Sequence, residues 1–137
     1  MPRVLNKSSK VIGIVGTRRR DELADLQLCE NAFLEIYKKG DSIVSGGCPE
    51  GGDRFAEGLA QHYGCKIRIY YPDHNQLDMG LVEVNPRAAY AQINYARNTL
   101  IAQSCDVLIA VVAEDRKGGT EDTIKKTLKL GKEVIYV

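Results

Sequence analysis

Ser42-Ile43-Val44-Ser45-Gly46-Gly47-Cys48-Pro49-Glu50-Gly51-Gly52-Asp53 is the stretch whose reading decides the fold. A short apolar run ends in a turn with four glycines between Ser45 and Asp53, and a helical pattern follows at once. Glycine permits positive φ and close backbone approach. The N–H groups at the start of the next helix suit an anion. The stretch therefore reads as strand, donor-rich turn and helix start. Asp53 either caps that helix or touches a ligand.

The same succession occurs twice more. Val11 to Val15 is a buried first strand that runs into Gly16-Thr17-Arg18, and Asp106 to Ala113 is a strand followed by Gly118-Gly119-Thr120. Between them, Asp21 can cap a helix reaching about Lys39, with Leu26, Cys29, Phe33 and Ile36 at helical spacing and Gly40 as its stop. Asp53 opens a helix carrying Ala56, Leu59, Ala60 and Tyr63, closed by Gly64, and Lys66 to Tyr71 alternates as a third strand. Residues 72–85 show no clear period. A connection of that length is a lid, a partner surface, or an irregular insertion hiding a short helix. Asn85 before Pro86 starts a helix to about Gln103. Thr120 opens another to about Leu130, and Glu133 to Val137 is the last strand.

Strands alternating with helices predict an α/β fold: a single doubly wound parallel sheet of about five strands with helices on both faces. The expected order is 3-2-1-4-5. Strands 1 and 4 are then neighbours whose chains leave in opposite directions, and the crevice between their carboxyl ends is the binding position. Residues 1–10 read as a flexible arm and residues 11–137 as one domain, which suits a chain of 137 residues.

Apolar residues make up 44% of the chain, enough for a core, and the net charge is +1. A general nucleic-acid coating protein would carry a larger basic excess. The four cysteines contain no CxxC pair, so neither a zinc finger nor a redox dithiol is expected, and no metal is assigned. Cys29 and Cys105 fall at apolar positions. Cys48 lies in the glycine loop without an evident histidine partner. The polar start and a following apolar run of only strand length suggest neither a secretion signal nor a membrane span, so a cytoplasmic protein with reduced thiols is expected.

The three glycine turns predict a phosphate or nucleotide cradle. Backbone amides of Gly16, Gly46, Gly47 and Gly119 would hold phosphate, with hydroxyls from Thr17, Ser45 and Thr120. Gly51, Gly52 and Gly118 complete the turns. It is not a Walker A loop, because no Lys-Ser/Thr follows the last glycine, and GxGxxG is missing. Of Arg18, Arg19 and Arg20, Arg18 is nearest the strand end and best placed to grip an anion. On the helix from Pro86, Ala89, Ile93, Ala96, Leu100 and Ile101 define an apolar stripe. At about 100° per residue Arg97 falls inside it. A charge there needs an anionic partner, from the protein or a ligand. Asn98 lies about a quarter turn away. Thr120 suits a helix cap, and Glu121 and Asp122 complement the helix dipole. Next to a phosphate they could instead touch ribose hydroxyls or act, with Arg97, in catalysis.

Taken in order, these segments resemble the SLOG superfamily, which includes the Rossmann-like domain of DNA-processing protein A (Smf/DprA) and the LONELY GUY phosphoribohydrolases. Ile14-Val15-Gly16-Thr17-Arg18 looks like that family's GSR turn. Ile43 to Asp53 looks like its SGG…GxD loop, Ala96-Arg97-Asn98 with Ser104-Cys105-Asp106 like its RN…sD segment, and Gly118-Gly119-Thr120 like its GGT turn. The resemblance implies a nucleotide-related ligand at the sheet edge and a homodimer or higher homo-oligomer. The phosphoribohydrolases carry PGGxGTxxE, and Arg97 matches their upstream arginine. This chain has Thr123 at the glutamate position, with Glu121 and Asp122 only as shifted substitutes. The expected function is a module that binds or senses a nucleotide or nucleotide derivative. The alternatives are N-glycosidic hydrolysis of a nucleoside 5'-monophosphate and single-stranded DNA binding of the DNA-processing protein A type.

Overall fold

In the computed structural model, which describes residues 9–48 and 50–137, the apolar runs become five parallel strands. They are β1 (Val11–Gly16), β2 (Ser42–Ser45), β3 (Ile67–Ile69), β4 (Val107–Val111) and β5 (Glu133–Tyr136). The sheet order is β3-β2-β1-β4-β5, as the alternation predicts. The helices are α1 (Leu23–Ile36), α2 (Gly52–Tyr63), α3 (Met79–Val84), α4 (Pro86–Ser104) and α5 (Thr120–Lys129). The inner strands β1, β2 and β4 are largely buried on both faces, while the edge strands β3 and β5 are partly exposed.

Alternation along the strands divides the core in two. Ile12, Ile14, Ile43, Val107 and Ile109 face α1 and α2, where they meet Cys29, Phe33, Phe55 and Leu59. Val15, Val44, Leu108 and Ala110 face α4 and α5, where they meet Ile101, Cys105 and Ile124. Each fully buried side chain of this size contributes about 1.5–3 kcal/mol. Cys29 and Cys105 are fully buried. Burial pushes the Cys29 thiol up to about 12, which makes it an inert packing group.

Several local expectations are corrected. Asp21 does not cap α1. Its carboxylate accepts from the Gly51 N–H at 2.7 Å and from Arg54 Nε at 2.8 Å, tying two loops together. Glu22 is the cap residue instead, and its N–H donates to Asp25. The helix stops at Ile36, because Tyr37 turns extended and stacks on Phe33. Asp53 and Thr120 are not caps either: they are the second residue of α2 and the first of α5, capped by Gly51 and Gly119. Segment 72–85 is a 3-10 turn at His74–Gln76 followed by α3, capped by Asp73 and Asp78. Elements of three and six residues are too short to display a helical period. On α4, Ala96 and Leu100 are exposed, and the buried stripe is Ala89, Ile93, Asn98, Ile101 and Ala102.

Lys10 is pinned by Asp41, which accepts from its N–H at 2.8 Å and from its ammonium at 2.6 Å. Residues 1–8 of the expected arm, Arg3 and Lys7 among them, lie outside the described residues, as does Pro49. Among the described residues no helix is long and apolar enough to cross a membrane.

Candidate functional site

Gly16 pairs with Val111, so the ends of β1 and β4 lie side by side. The chain after β1 leads to α1 on one face, and the chain after β4 leads to α5 on the other. The divergence leaves a crevice, and α4 borders it. A cavity of about 480 Å3 occupies this crevice, within the roughly 300–1,000 Å3 usual for small-molecule sites.

Nine residues singled out from the sequence line the cavity: Gly16, Thr17 and Arg18 after β1, Asp53 on α2, Arg97 and Asn98 on α4, and Gly118, Gly119 and Thr120 at the start of α5. Arg18 is exposed there, while its neighbours are committed to the fold. Arg19 is held by both carboxylate oxygens of Asp115, at 3.0 and 2.8 Å. Arg20 binds Asp25 and the backbone carbonyls of Val112 and Val137.

Arg97 is the central cation. Its Nη1 donates to the carbonyls of Gly46 at 2.6 Å and Tyr70 at 3.3 Å, and its Nε to Asn98 Oδ1 at 2.9 Å. Among the described residues no hydrogen bond engages Nη2, and no carboxylate forms an ion pair with this guanidinium. Burial lowers its pKa against the pull of Asp53. Burial also pushes the Asp53 carboxyl up, opposed by the Cys48 N–H it accepts at 3.1 Å and by Arg97. The cavity thus has a cation with one donor edge uncommitted, beside a carboxylate whose charge is disfavoured. Asn98, placed a quarter turn off the stripe by periodicity, is more buried than Arg97, and its amide links Arg97 to Asp122.

Of the described residues in the Ser45 to Gly52 turn, Cys48 lines the cavity and the glycines and Ser45 do not. Ser45 is fully buried and donates its hydroxyl to the Ile14 carbonyl. A Cβ on Gly46 would sit 2.8 Å from Arg97 Nη1, and one on Gly52 would sit 2.4 Å from the Gly16 nitrogen. These glycines make room for the protein's own atoms. At Gly118 and Gly119 nothing lies within 4 Å of an added Cβ. There the Glu121 and Asp122 N–H groups are taken by the Gly118 and Gly119 carbonyls, at 3.2 and 3.1 Å, which leaves the Gly119 and Thr120 N–H groups without an acceptor among the described residues. Glu121 and Asp122 also stay out of the lining. Glu121 is gripped by Arg116 at 2.8 and 2.9 Å, and Asp122 accepts from Lys126 at 2.8 Å and Asn98 at 3.1 Å.

Sequence reasoning did not assign to the site Ala91, Asn94, Tyr95, Lys117 and Thr123, which also line the cavity. Helical spacing carried the signal for three of them. Residues 91, 94, 95, 98 and 101 recur at intervals of three and four, and so share one face of α4. Among the described residues no cluster of His, Cys, Asp and Glu is placed to hold a metal ion.

Two solved structures of a molybdenum cofactor carrier protein from Chlamydomonas reinhardtii are similar to this chain. One has a TM-score of 0.64 at 19% identity, covering 93% of this chain and 76% of that one. The other has a TM-score of 0.62 at 20% identity, covering 94% and 76%. At this identity the likeness shows the fold. No curated protein sequence matches. The SLOG cluster4 family model matches residues 9–137, the whole described length, and the chain belongs to that family.

Proposed function

We propose that the crevice between β1 and β4 binds a phosphate-bearing small molecule, a nucleotide or nucleotide derivative, and holds it without converting it. The observation that carries this reading is that the start of α5, with open space beside Gly118 and Gly119, and Arg97, whose Nη2 has no hydrogen bond among the described residues, line one cavity. Backbone N–H groups at a helix start and a guanidinium edge are complementary to phosphate oxygens. Arg18 and Lys117 add charge at the same cavity. The Tyr95 ring, with Ala91, Val15 and Ile101, offers apolar surface for a heterocycle.

Holding is favoured over hydrolysis because the two acids offered as catalytic, Glu121 and Asp122, are engaged and stay out of the lining. Glu121 belongs to Arg116, Asp122 to Lys126 and Asn98. The phosphoribohydrolase glutamate position carries neutral Thr123. Calorimetry against nucleoside phosphates and cyclic nucleotides should show saturable binding. No heat of binding with any of them at millimolar concentration would sink the proposal. Incubation with AMP should release no free base; base release lost in Arg97→Ala would replace carriage by hydrolysis.

A second reading, carriage of a molybdenum-containing cofactor, is supported by the fold likeness over 93% of the chain to a protein named for that task. Elemental analysis of the purified protein for molybdenum tests it, with a stoichiometric signal expected. Single-strand nucleic-acid binding and homo-oligomerisation rest on the superfamily resemblance. Salt-dependent oligonucleotide anisotropy and light scattering test them.

A further inference from the structure

Six polar side chains are more than nine-tenths buried among the described residues: Asp41, Ser45, Asp53, Asn98, Thr123 and Thr127. Five have partners. Asp41 binds Lys10, Ser45 donates to Ile14 and Asp53 accepts from Cys48. Asn98 is bonded at both ends of its amide, and Thr127 donates to the Thr123 carbonyl. The Thr123 hydroxyl has none among the described residues, although Thr123 is only 2% exposed. It lines the cavity. Burying a hydroxyl without a hydrogen bond is destabilising, so such a group calls for an explanation.

Its position supplies one. Thr123 is the fourth residue of α5, roughly 4.5–6 Å along the axis from the open helix start. An anion at that start leaves the next part of the same ligand level with Thr123. The same cavity is lined by the uncharged amides of Asn94 and Asn98 as well as by Thr123. A hydroxyl both donates and accepts, and its natural complement is another hydroxyl. Resting on the phosphate-bearing ligand proposed above, we infer that Thr123 Oγ is a specificity-determining contact to a sugar hydroxyl of that ligand. The cavity then distinguishes ribose-type phosphates from their deoxy counterparts.

The test pairs two variants with two readouts. Binding of the four ribonucleoside 5'-monophosphates, with their 2'-deoxy and 3'-deoxy forms, is measured by calorimetry on the full chain. The wild type should prefer a hydroxylated form by about 10-fold. Thr123→Ser should keep that preference and Thr123→Val should abolish it. The free Thr123→Val protein should melt no lower than wild type, because its buried surface loses an unpaired polar group. A preference unchanged in Thr123→Val overturns this inference and leaves the binding site standing. A Thr123→Val protein that melts several degrees lower also overturns it, since the hydroxyl would then be holding the fold. Absence of binding by the wild type to every monophosphate overturns the inference together with the proposal beneath it.

Discussion

The turn after β2 and the turn before α5 look alike in sequence and differ in what fills the space beside their glycines. At Gly46 and Gly52 that space holds Arg97, Asp53 and the backbone of β1, all within 3 Å of an added Cβ. At Gly118 and Gly119 it holds nothing within 4 Å. The first turn is a joint that lets α2 start against the end of β1 and brings both Asp53 and Arg97 against Gly46. The second is an opening. Glycine density marks close approach, but it does not say whether the approaching atom is the protein's own.

The largest expected effect breaks the joint. Gly52→Ala should cost roughly 3 kcal/mol or more of folding stability, because the Val15–Gly16 peptide of β1 blocks the methyl group. Gly119→Ala is the matched control. Its φ of −65° is helical and its surroundings are empty, so denaturant unfolding should show no loss. Its ligand affinity should fall, since the methyl enters the opening. If the two substitutions destabilise equally, the contrast between the turns is wrong.

Arg97→Met comes next. It removes the cation shared by joint and opening, and affinity for a phosphorylated ligand should drop about 10–100-fold by calorimetry. A smaller effect is expected for Asp53. Burial, opposed by the Cys48 N–H and Arg97, holds its carboxyl above the ordinary aspartate value. The folded chain therefore keeps this proton to higher pH than the unfolded chain. Its contribution to stability falls as pH rises between the two values and recovers as pH drops below them. Carbon-13 NMR should place the titration above that of an ordinary aspartate, and Asp53→Asn should remove the slope from the melting profile. The smallest effect belongs to Arg19–Asp115, an exposed pair. Arg19→Ala should leave the melting temperature within about 2 °C of wild type, with any difference shrinking at high salt.

Sequence and structure part company along the same line. The sheet order was readable because strand and helix periods alternate cleanly, and parallel topology leaves few choices. Arg97 stood out as a cation on an expected apolar stripe, although two residues of that stripe, Ala96 and Leu100, are exposed. Ser45 was misleading: a serine at a strand end looks like a ligand donor, and only the fold shows its hydroxyl bonded to Ile14 across the neighbouring strand. Glu121 looked catalytic or dipole-complementing because its partner Arg116 sits five residues back on a turn that periodicity does not resolve, whereas the i,i+4 spacing of Asp122 and Lys126 on α5 was there to be read. Thr123 was legible only as a missing glutamate. Its lack of a partner is a property of the packed state.

The β1–β4 pairing has one more consequence. Gly16 and Val111 meet from distant parts of the chain, so closing that pair is a slow, non-local step of folding. The crevice does not exist until it is complete. An unfolded chain consequently offers a ligand nothing to bind, and occupancy pulls the folding equilibrium by mass action. A ligand present at 100 times its dissociation constant should add about 2.7 kcal/mol of stability. A thermal-shift screen of small phosphates therefore reads the site directly, before any chemistry is known.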